Sequence, residues 1–310
     1  MSSILSDRVQ KVKPSATMAV SDKAKELKSQ GIQIVSMGSG EPDFDTPANI
    51  QKAAVKAIGA GETRYTPADG TPELKKAICE KFKRENGLDY SATEVMVSCG
   101  GKQVFYNLCQ AILNEGDEVI IPTPYWVSYP DMAILADATP VFIEAGLDQD
   151  FKITPDQLEA SITPKSKLFV LNSPSNPTGS VYSRSEIIAL GEVLERHPHV
   201  LTISDDIYEH IRWGEDDFVN IAMACPKLKE RVVILNGVSK AYAMTGWRIG
   251  YAAGPEAVIK AMKKIQGQST SNPSSISQAA ALEAITGDQS FISMMVEAFE
   301  RRHEFLVTSL

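Results

Sequence analysis

Short apolar runs recur along the chain, and each is followed by a more polar segment. The runs are EVMVS, DEVIIP, KLFVLN, HVLTIS and RVVILN, beginning at residues 94, 117, 167, 199 and 231. Their valines and isoleucines do not alternate with polar residues, which is typical of strands buried on both faces. Apolar runs followed by helical patterns predict an α/β fold with a mostly parallel sheet flanked by helices.

Three longer segments have helical patterns of their own. Helices are predicted near residues 18–29 and 183–196, and a long amphipathic helix is predicted over 288–310. This last pattern reaches the final residue without the Gly, Asn or Pro that commonly ends a helix. We therefore expect either a frayed terminus or a chain that is cut short.

Composition narrows the class of protein. The 310 residues are 43% hydrophobic and 23% charged, as in ordinary globular proteins. The net charge of −8 and the lack of a long basic run argue against a nucleic-acid partner. No segment approaches the length of a membrane span, so no membrane partner is expected.

The cysteines and histidines have no metal-ligand spacing. The four cysteines form no CxxC pair and the four histidines form no HExxH motif, so we predict no metal site. The N-terminus carries charges within its first ten residues and has no apolar core of signal-peptide length. Together with unpaired cysteines, this predicts a cytoplasmic protein.

Chemically distinctive side chains follow the predicted strands. In open parallel sheets, ligands bind outside the carboxyl ends of the strands. The residues at these ends are Gly100, Gly101 and Lys102, then Tyr125 and Trp126, then Asn172 and Asn176, then Asp205 and Tyr208, and finally Ser239, Lys240 and Arg248. Glycines that open a helix let backbone N–H groups approach an anion.

One ligand, pyridoxal 5′-phosphate, can be bound by all of these strand-end groups together. Lys240 can form a Schiff base with its aldehyde, and Asp205 can pair with its ring nitrogen and keep it protonated. Arg248 can bind the phosphate with two parallel hydrogen bonds. Each residue alone has a commoner explanation, such as a turn or a helix cap, so the prediction rests on the joint pattern.

The motifs also resemble a known family. NSPSNPTG, SDDIYEH and SKAYAMTGWRIGY, in that order, closely resemble the class I aminotransferases, which have the fold type I of pyridoxal-phosphate enzymes. KPSATMAV, GEPDFDTP, RYTPADGTPELKKAI, GGKQVFYNL and TPYWVSYP resemble the bacterial-type aspartate aminotransferase subgroup. This resemblance, which spans nearly the whole chain, implies the aspartate aminotransferase-like fold and pyridoxal 5′-phosphate as the cofactor.

The resemblance implies catalytic roles for residues that follow the strands. Lys240 matches the Schiff-base lysine, which also moves the α-proton of the substrate. Asp205 matches the partner of the ring nitrogen, while Tyr208 and Asn176 match contacts to the ring oxygen. The family's phosphate-binding and ring-stacking residues correspond to Arg248, Ser239, the backbone amides of Gly101 and Lys102, and Trp126.

Further matches concern the substrate and a second subunit. Tyr65 resembles the tyrosine that reaches the phosphate bound by the other subunit, which implies a homodimer with shared active sites. Gly40, Trp126 and Asn176 match substrate contacts, and Lys13 and Lys102 match cations that face a side-chain carboxylate.

The resemblance also implies a division into domains. Residues 1–45 would begin a small domain, 46–285 would form the large cofactor-binding domain, and 286–310 would return to an incomplete α/β small domain. Family members continue beyond this point and carry there an arginine that binds the substrate α-carboxylate. Arg301 and Arg302 do not match it, and we predict that both lie on a solvated helix face.

The leading hypothesis is an aminotransferase that moves the amino group of aspartate or glutamate to 2-oxoglutarate or oxaloacetate. A wider aspartate and prephenate activity is an alternative within enzymes. A catalytically impaired, cofactor-binding truncated product is an alternative from another class. A nicotinamide dehydrogenase is disfavoured because GSGEPDF, which begins at residue 38, lacks the third glycine of GxGxxG and does not open a helix.

Overall fold

One mixed sheet forms the centre of the molecule. The computed structural model describes residues 4–14, 16–35, 38, 40–214 and 217–310, with only the backbone described for 16–18. Within these ranges the strands are β1 (Val95–Ser98), β2 (Glu118–Thr123), β3 (Thr139–Glu144), β4 (Ser166–Asn172), β5 (Leu201–Asp205), β6 (Val232–Gly237) and β7 (Gly250–Ala253). Their order across the sheet is β1-β7-β6-β5-β4-β2-β3, so each predicted strand is present, as β1, β2, β4, β5 or β6.

Helices surround the sheet. In the described part of the chain they are α1 (Asp7–Lys11), α2 (Ala16–Ser29), α3 (Ala48–Gly59), α4 (Pro72–Lys81), α5 (Gly101–Ile112), α6 (Ser128–Leu135), α7 (Pro155–Ser161), α8 (Arg184–Arg196), α9 (Ile221–Ala224), α10 (Glu256–Gly267), α11 (Ser275–Thr286) and α12 (Ser290–Ser309). The three helices predicted from sequence are confirmed as α2, α8 and α12. Among the described residues, none of these helices combines the length and apolar character needed to cross a bilayer.

Local signals set the start of several helices. Ser183 accepts a hydrogen bond from the backbone of Glu186, whose side chain bonds back to the backbone of Ser183, and this capping box begins α8. Thr154 and Gln157 form the same arrangement at α7. α4 begins with a proline, which lacks the N–H that would have no partner in the first turn.

Successive residues of the strands pack on opposite faces of the sheet. Val97 of β1 packs in a hydrophobic cluster with residues of α4, α8 and α11, whereas its neighbour Met96 packs with residues of α5, α6 and α10. Ile234 and Val233 of β6 are divided in the same way. All four side chains are fully buried. Because both faces of the sheet are covered, the strands lack hydrophobic alternation.

Two strands were not predicted from the sequence. β7 pairs antiparallel with both β1 and β6, while the other pairs in the sheet are parallel. Its first two residues are the last two of SKAYAMTGWRIGY, and its four residues give no separate periodic signal. β3 is the edge strand beside β2, and three of its six residues are exposed.

β5 and β6 are followed directly by turns and not by helices. β5 leads into a turn in which the amide of Glu209 donates to the carbonyl of Asp206, at 2.9 Å. β6 leads into a loop closed by the amide of Met244 donating to the carbonyl of Ser239, at 3.1 Å. Neither segment has a continuous apolar face to pack as a helix on the sheet, and turns hold its polar side chains at the strand ends.

α12 packs against the segment before α3. Nη1 of Arg302 donates to Oδ1 of Asp43 at 2.8 Å, and its guanidinium lies over the rings of Phe44 and Phe299. The prediction that Arg301 and Arg302 lie on a solvated helix face is confirmed, since their side chains are 70% and 51% exposed. The exposed guanidinium of Arg302 pairs with a carboxylate and stacks on aromatic rings at once.

Candidate active site

A cavity of about 190 Å³ lies at the carboxyl ends of β4, β5 and β6. This is the edge at which open α/β sheets bind ligands. Its lining residues are Gly101, Lys102, Trp126, Tyr129, Asn172, Asn176, Asp205, Ile207, Tyr208, Leu235, Ser239, Lys240, Thr245 and Arg248. Parallel strands bring together residues that are far apart in the sequence, and nine of the site residues proposed above lie here.

Lys240 projects into this cavity from the loop after β6. Its Nζ donates a hydrogen bond to the carbonyl oxygen of Gly40 and lies 5.8 Å from the ring centroid of Tyr208. Burial lowers the pKa of Lys240, and the nearby charge of Arg248 lowers it further, against the opposing charges of Glu41 and Asp205. A lowered pKa raises the fraction of neutral amine at neutral pH and makes Lys240 a better nucleophile.

Asp205 is the last residue of β5, and its side chain is held from two directions. Oδ2 accepts a hydrogen bond from the hydroxyl of Tyr129 at 2.6 Å, and Oδ1 accepts one from the backbone amide of Ile207 at 3.3 Å. Burial raises the pKa of Asp205 to about 6, although both donors and the charge of Lys240 act to lower it. Asp205 is therefore mainly ionised at pH 7 and can pair with a cationic group.

Tyr208 and two asparagines form the wall beside Asp205. Nδ2 of Asn176 lies 3.5 Å from the hydroxyl oxygen of Tyr208, and the amide of Asn176 donates to Oδ1 of Asn172 at 2.8 Å. Nδ2 of Asn172 donates to the backbone carbonyl of Asp205 at 2.9 Å, so Asn172 fixes the ends of β4 and β5. Burial raises the pKa of Tyr208 to about 12, which keeps the phenol protonated as a hydrogen-bond donor.

The N-terminus of α5 and Arg248 form a concave anion site. Gly100 has φ of 90°, and no side chain caps the helix there. A Cβ at Gly100 would lie 2.3 Å from Nη2 of Arg248, so glycine leaves room for the guanidinium. The first-turn amides of α5, at Gly101 and Lys102, have no partner within the helix and can donate to an anion. Ser239 is buried and lines the same cavity.

Lys102 and Trp126 lie at the outer side of the cavity. Nζ of Lys102 is 5.2 Å from the ring centroid of Trp126, a cation–π distance. Burial lowers the pKa of Lys102, and the charge of Arg248 adds to the effect. Lys102 also borders an adjoining cavity, which Lys13 lines from the N-terminal segment. Lys102 therefore borders both cavities, and Lys13 borders the adjoining one.

The sequence comparison decides the family. The family described as "Aminotransferase class I and II" matches residues 32–310. The chain belongs to the class I and II aminotransferase family. Enzymes of this family use pyridoxal 5′-phosphate, and their substrates are amino acids and 2-oxo acids.

Relatives of this aminotransferase resemble it over almost its full length. The aspartate/prephenate aminotransferase of Nitrosomonas europaea is 58% identical over 306 residues, which are 99% of this chain and 77% of the relative. That of Cereibacter sphaeroides is 59% identical over 306 residues, or 99% of this chain and 76% of the relative.

Solved structures show the same fold. The aspartate aminotransferase of Rhizobium meliloti superposes with a TM-score of 0.96 at 50% identity, covering 99% of this chain and 76% of that one. The enzyme of Thermus thermophilus, solved with maleate, gives 0.94 at 46% identity, covering 98% of this chain and 79% of that one. The fold predicted from the strand pattern and the motifs is confirmed.

The cavity of this aminotransferase fits pyridoxal 5′-phosphate. The amine of Lys240 and the buried carboxylate of Asp205 line one cavity with the anion site of α5 and Arg248. These groups match an aldehyde, a ring nitrogen and a phosphate. The space that Gly100 leaves for Arg248 keeps the guanidinium beside the helix N-terminus, which suits a dianion.

Three of the proposed site residues lie outside this cavity. Tyr65 is 92% exposed, and Gly40 touches the site through its carbonyl contact with Lys240. Lys13 is exposed and borders the adjoining cavity only. Their proposed roles toward a second subunit and a substrate remain predictions.

Sequence reasoning missed Tyr129. It lies within TPYWVSYP, three residues after Trp126, and no local pattern distinguishes it from a tyrosine that serves only the core. Its partner Asp205 is 76 residues away, so only the folded chain reveals the contact.

A second cluster of ionisable groups lies behind the site. Ligand-type atoms of Glu85, Glu209 and His210 lie within 4.8 Å of one another. The ammonium of Lys81 bonds to Glu209 and lies 3.5 Å from a carboxylate oxygen of Glu85. A protein cation therefore already contacts both carboxylates.

Proposed function

We propose that the chain is an aspartate aminotransferase that moves the amino group of aspartate or glutamate to 2-oxoglutarate or oxaloacetate. The observation that carries the proposal is the placement of the Lys240 amine and the Asp205 carboxylate in one cavity with an anion site. Support for the substrate comes from the solved structures of Rhizobium meliloti and Thermus thermophilus, both described as aspartate aminotransferases.

The cofactor would be held at both of its ends. Arg248, Ser239 and the amides of Gly101 and Lys102 bind the phosphate. Trp126 would stack on the ring. When bound, pyridoxal 5′-phosphate supplies an aldehyde carbon that links to amines and a protonated ring that withdraws electrons from the substrate Cα.

Lys240 anchors the cofactor and then transfers a proton. When it is not linked to the cofactor, Nζ would be an amine with a lowered pKa inside the cavity. In this neutral form Nζ takes the proton from the substrate Cα and later returns a proton, as a general base and acid.

Asp205, Tyr208 and Asn176 hold the ring. The Asp205 carboxylate pairs with the protonated ring nitrogen, and its burial strengthens this pairing because little water competes for it. The hydroxyl of Tyr208 and the amide of Asn176 donate to the ring oxygen, and the Asn172 bonds to neighbouring backbone fix their positions.

Two lysines favour an acidic substrate. Lys102 and Lys13 border adjoining cavities and would supply positive charge to a side-chain carboxylate, with Gly40, Trp126 and Asn176 as further proposed substrate contacts. The alternative of a combined aspartate and prephenate activity is favoured by the relatives from Nitrosomonas europaea and Cereibacter sphaeroides, both described as aspartate/prephenate aminotransferases. Assay with each amino acceptor distinguishes the two.

A homodimer would complete the site. Tyr65, which is 92% exposed, would reach the phosphate bound by the second subunit. Mixing a Tyr65→Ala chain with a Lys240→Ala chain tests this, because one site of each mixed dimer then has both residues intact. Activity should rise above that of either variant alone, and the absence of any rise would contradict a shared site.

The domain division and the location are further parts of the proposal. Residues 1–45 and 286–310 would belong to the small domain and 46–285 to the large one, which the pairing of Arg302 with Asp43 supports.

We place the enzyme in the cytoplasm, which its four unpaired cysteines support.

The decisive test is the covalent anchor. Borohydride reduction of the cofactor-loaded protein should leave a pyridoxyl group on Lys240, identified by peptide mass. Lys240→Ala should prevent this labelling and lower turnover by at least about 10²–10⁴-fold, since it removes the general base as well as the anchor. Lys152→Ala is a control, because Lys152 pairs with Glu186 outside the cavity. A label on any other lysine would overturn the assignment.

Substrate choice has its own test. Lys102→Ala should lower kcat/KM for aspartate by roughly fivefold, because Lys102 is exposed and a partly solvated charge contact is worth about 1 kcal/mol. Alanine is the control substrate, since it lacks the side-chain carboxylate. An equal loss for both amino acids would assign Lys102 to the cofactor or the fold.

A further inference from the structure

Tyr129 reaches Asp205 from a different layer of the fold. It lies in the first turn of α6, whereas Asp205 ends β5. Its hydroxyl donates to Oδ2 of Asp205 at 2.6 Å, which is in the short range of hydrogen bonds to an ionised oxygen. Among the described residues, the other oxygen of Asp205 receives only the longer bond from Ile207, at 3.3 Å.

The phenol of Tyr129 is a permanent donor. The side chain is buried, and burial together with the charge of Asp205 raises the pKa of Tyr129 well above its usual range. The hydroxyl therefore keeps its proton across the working pH range and has it available for Asp205.

Aromatic contacts fix the direction of this bond. The ring of Tyr129 lies 4.9 Å from that of Phe105 in α5 and meets the ring of Trp126 edge-on at 5.2 Å, between centroids. These two ring contacts restrict the Tyr129 side chain, so Tyr129 also links Asp205 to the proposed stacking residue Trp126.

We propose that Tyr129 is the positioning residue of Asp205, holding its carboxylate ionised and oriented toward the ring nitrogen of the cofactor. The inference rests on the proposed role of Asp205. Tyr129 acts through Asp205 and need not touch the reacting atoms.

Loss of the hydroxyl has a directional consequence. The titratable and charged groups that face Asp205 are Tyr129 from α6, Tyr208 from the turn after β5 and Lys240 from the loop after β6. Without the Tyr129 donor, the pKa of Asp205 rises from its value of about 6. A protonated Asp205 cannot form an ion pair with a protonated ring nitrogen, so cofactor binding weakens at a higher pH than in the parent protein.

The test is the pH dependence of cofactor affinity, measured without turnover. Calorimetric titration with pyridoxamine 5′-phosphate from pH 5 to 8 should show binding that weakens on the acid side. In Tyr129→Phe the midpoint of this weakening should move up by about one pH unit, and affinity at pH 7 should fall about tenfold, as for the loss of one charge-assisted hydrogen bond.

Two controls separate this inference from its premise. Tyr90→Phe is the matched variant, because Tyr90 is also buried and its hydroxyl has no hydrogen-bond partner within the described residues. It should leave both midpoint and affinity unchanged. In an Asp205→Asn background, Tyr129→Phe should cause no further loss of affinity.

Each outcome is decisive. If Asp205→Asn retains the parent's acid-side weakening and affinity, the proposed role of Asp205 fails. If Asp205→Asn removes the weakening but Tyr129→Phe does not shift the midpoint, that role stands and the role of Tyr129 is overturned. A Tyr129→Phe chain that does not fold would also overturn it, since the hydroxyl would then serve the fold.

Discussion

The buried ion pair between Lys81 and Glu209 is the feature whose removal should destabilise the fold most clearly. Both side chains are buried, and the ammonium also donates to Oδ1 of Asn86 at 2.9 Å. Glu209 directly follows Tyr208, so the pair anchors the turn that carries part of the proposed site. We predict that Lys81→Met destabilises the protein because it leaves the Glu209 charge buried without its cation.

The remaining contacts of Glu209 set the size of the stability loss in Lys81→Met. Removing one partner of a buried ion pair costs about 3–5 kcal/mol. Glu209 retains two amide donors, Asn236 at 2.7 Å and Asn86 at 3.1 Å, which favours the lower end of that range. Burial alone would raise the pKa of Glu209, but the charges of Lys81 and His210 outweigh it and lower the pKa. Without Lys81 the pKa should rise, and protonation then limits the loss to about 3 kcal/mol.

Urea unfolding of the cofactor-free protein measures the effect. Lys81→Met should lower the midpoint without changing the slope, which reports the surface exposed on unfolding. Lys76→Met is the matched control on α4, because Lys76 has a side chain that is 78% exposed and lies 3.8 Å from Glu80. It should change the free energy of unfolding by no more than about 0.5 kcal/mol.

A double variant tests the cause. Lys81→Met combined with Glu209→Gln removes both charges and should recover more than half of the lost stability, because no unpaired charge remains buried. The reasoning is refuted if Lys81→Met costs less than about 1 kcal/mol, or if the double variant is no more stable than Lys81→Met alone.

Two further predictions concern acid stability and the phosphate cup. Burial would raise the pKa of Glu85, but the bond with His210 and the charge of Lys81 outweigh it and lower the pKa from 4.5 to about 2. Glu85 therefore stabilises the fold above about pH 4.5, and this contribution is lost as pH falls toward 2. Glu85→Gln should lower the free energy of unfolding by about 3 kcal/mol at pH 6 and by little near pH 2. A loss of stability that does not depend on pH would contradict this. A Cβ at Gly250 would lie 2.4 Å from backbone atoms of Gly100 and Gly101, so Gly250→Ala should displace the start of α5 and weaken inorganic phosphate binding by at least about tenfold, with unchanged binding in calorimetry as the contrary result.

Much of the site could be predicted because its reactive residues lie in short sequence motifs. Asp205 directly follows an apolar run, Lys240 and Arg248 lie in the loop after another, and a parallel sheet brings the ends of such runs to one edge. Contacts that depend on distant partners could not be predicted in this way. Arg302 is an example, since its sequence context is an exposed helix face and Asp43 lies 259 residues away.

The sequence by itself determined the α/β class and five of the strands, because a parallel sheet buried on both faces leaves continuous apolar runs in the chain. Its motifs also identified nine of the residues that line the cavity. The tertiary structure alone decided the antiparallel insertion of β7, the turns after β5 and β6, and the bond from Tyr129 to Asp205. These depend on close approach between segments far apart in the chain. No local propensity encodes that approach, and packing against the rest of the molecule selects it.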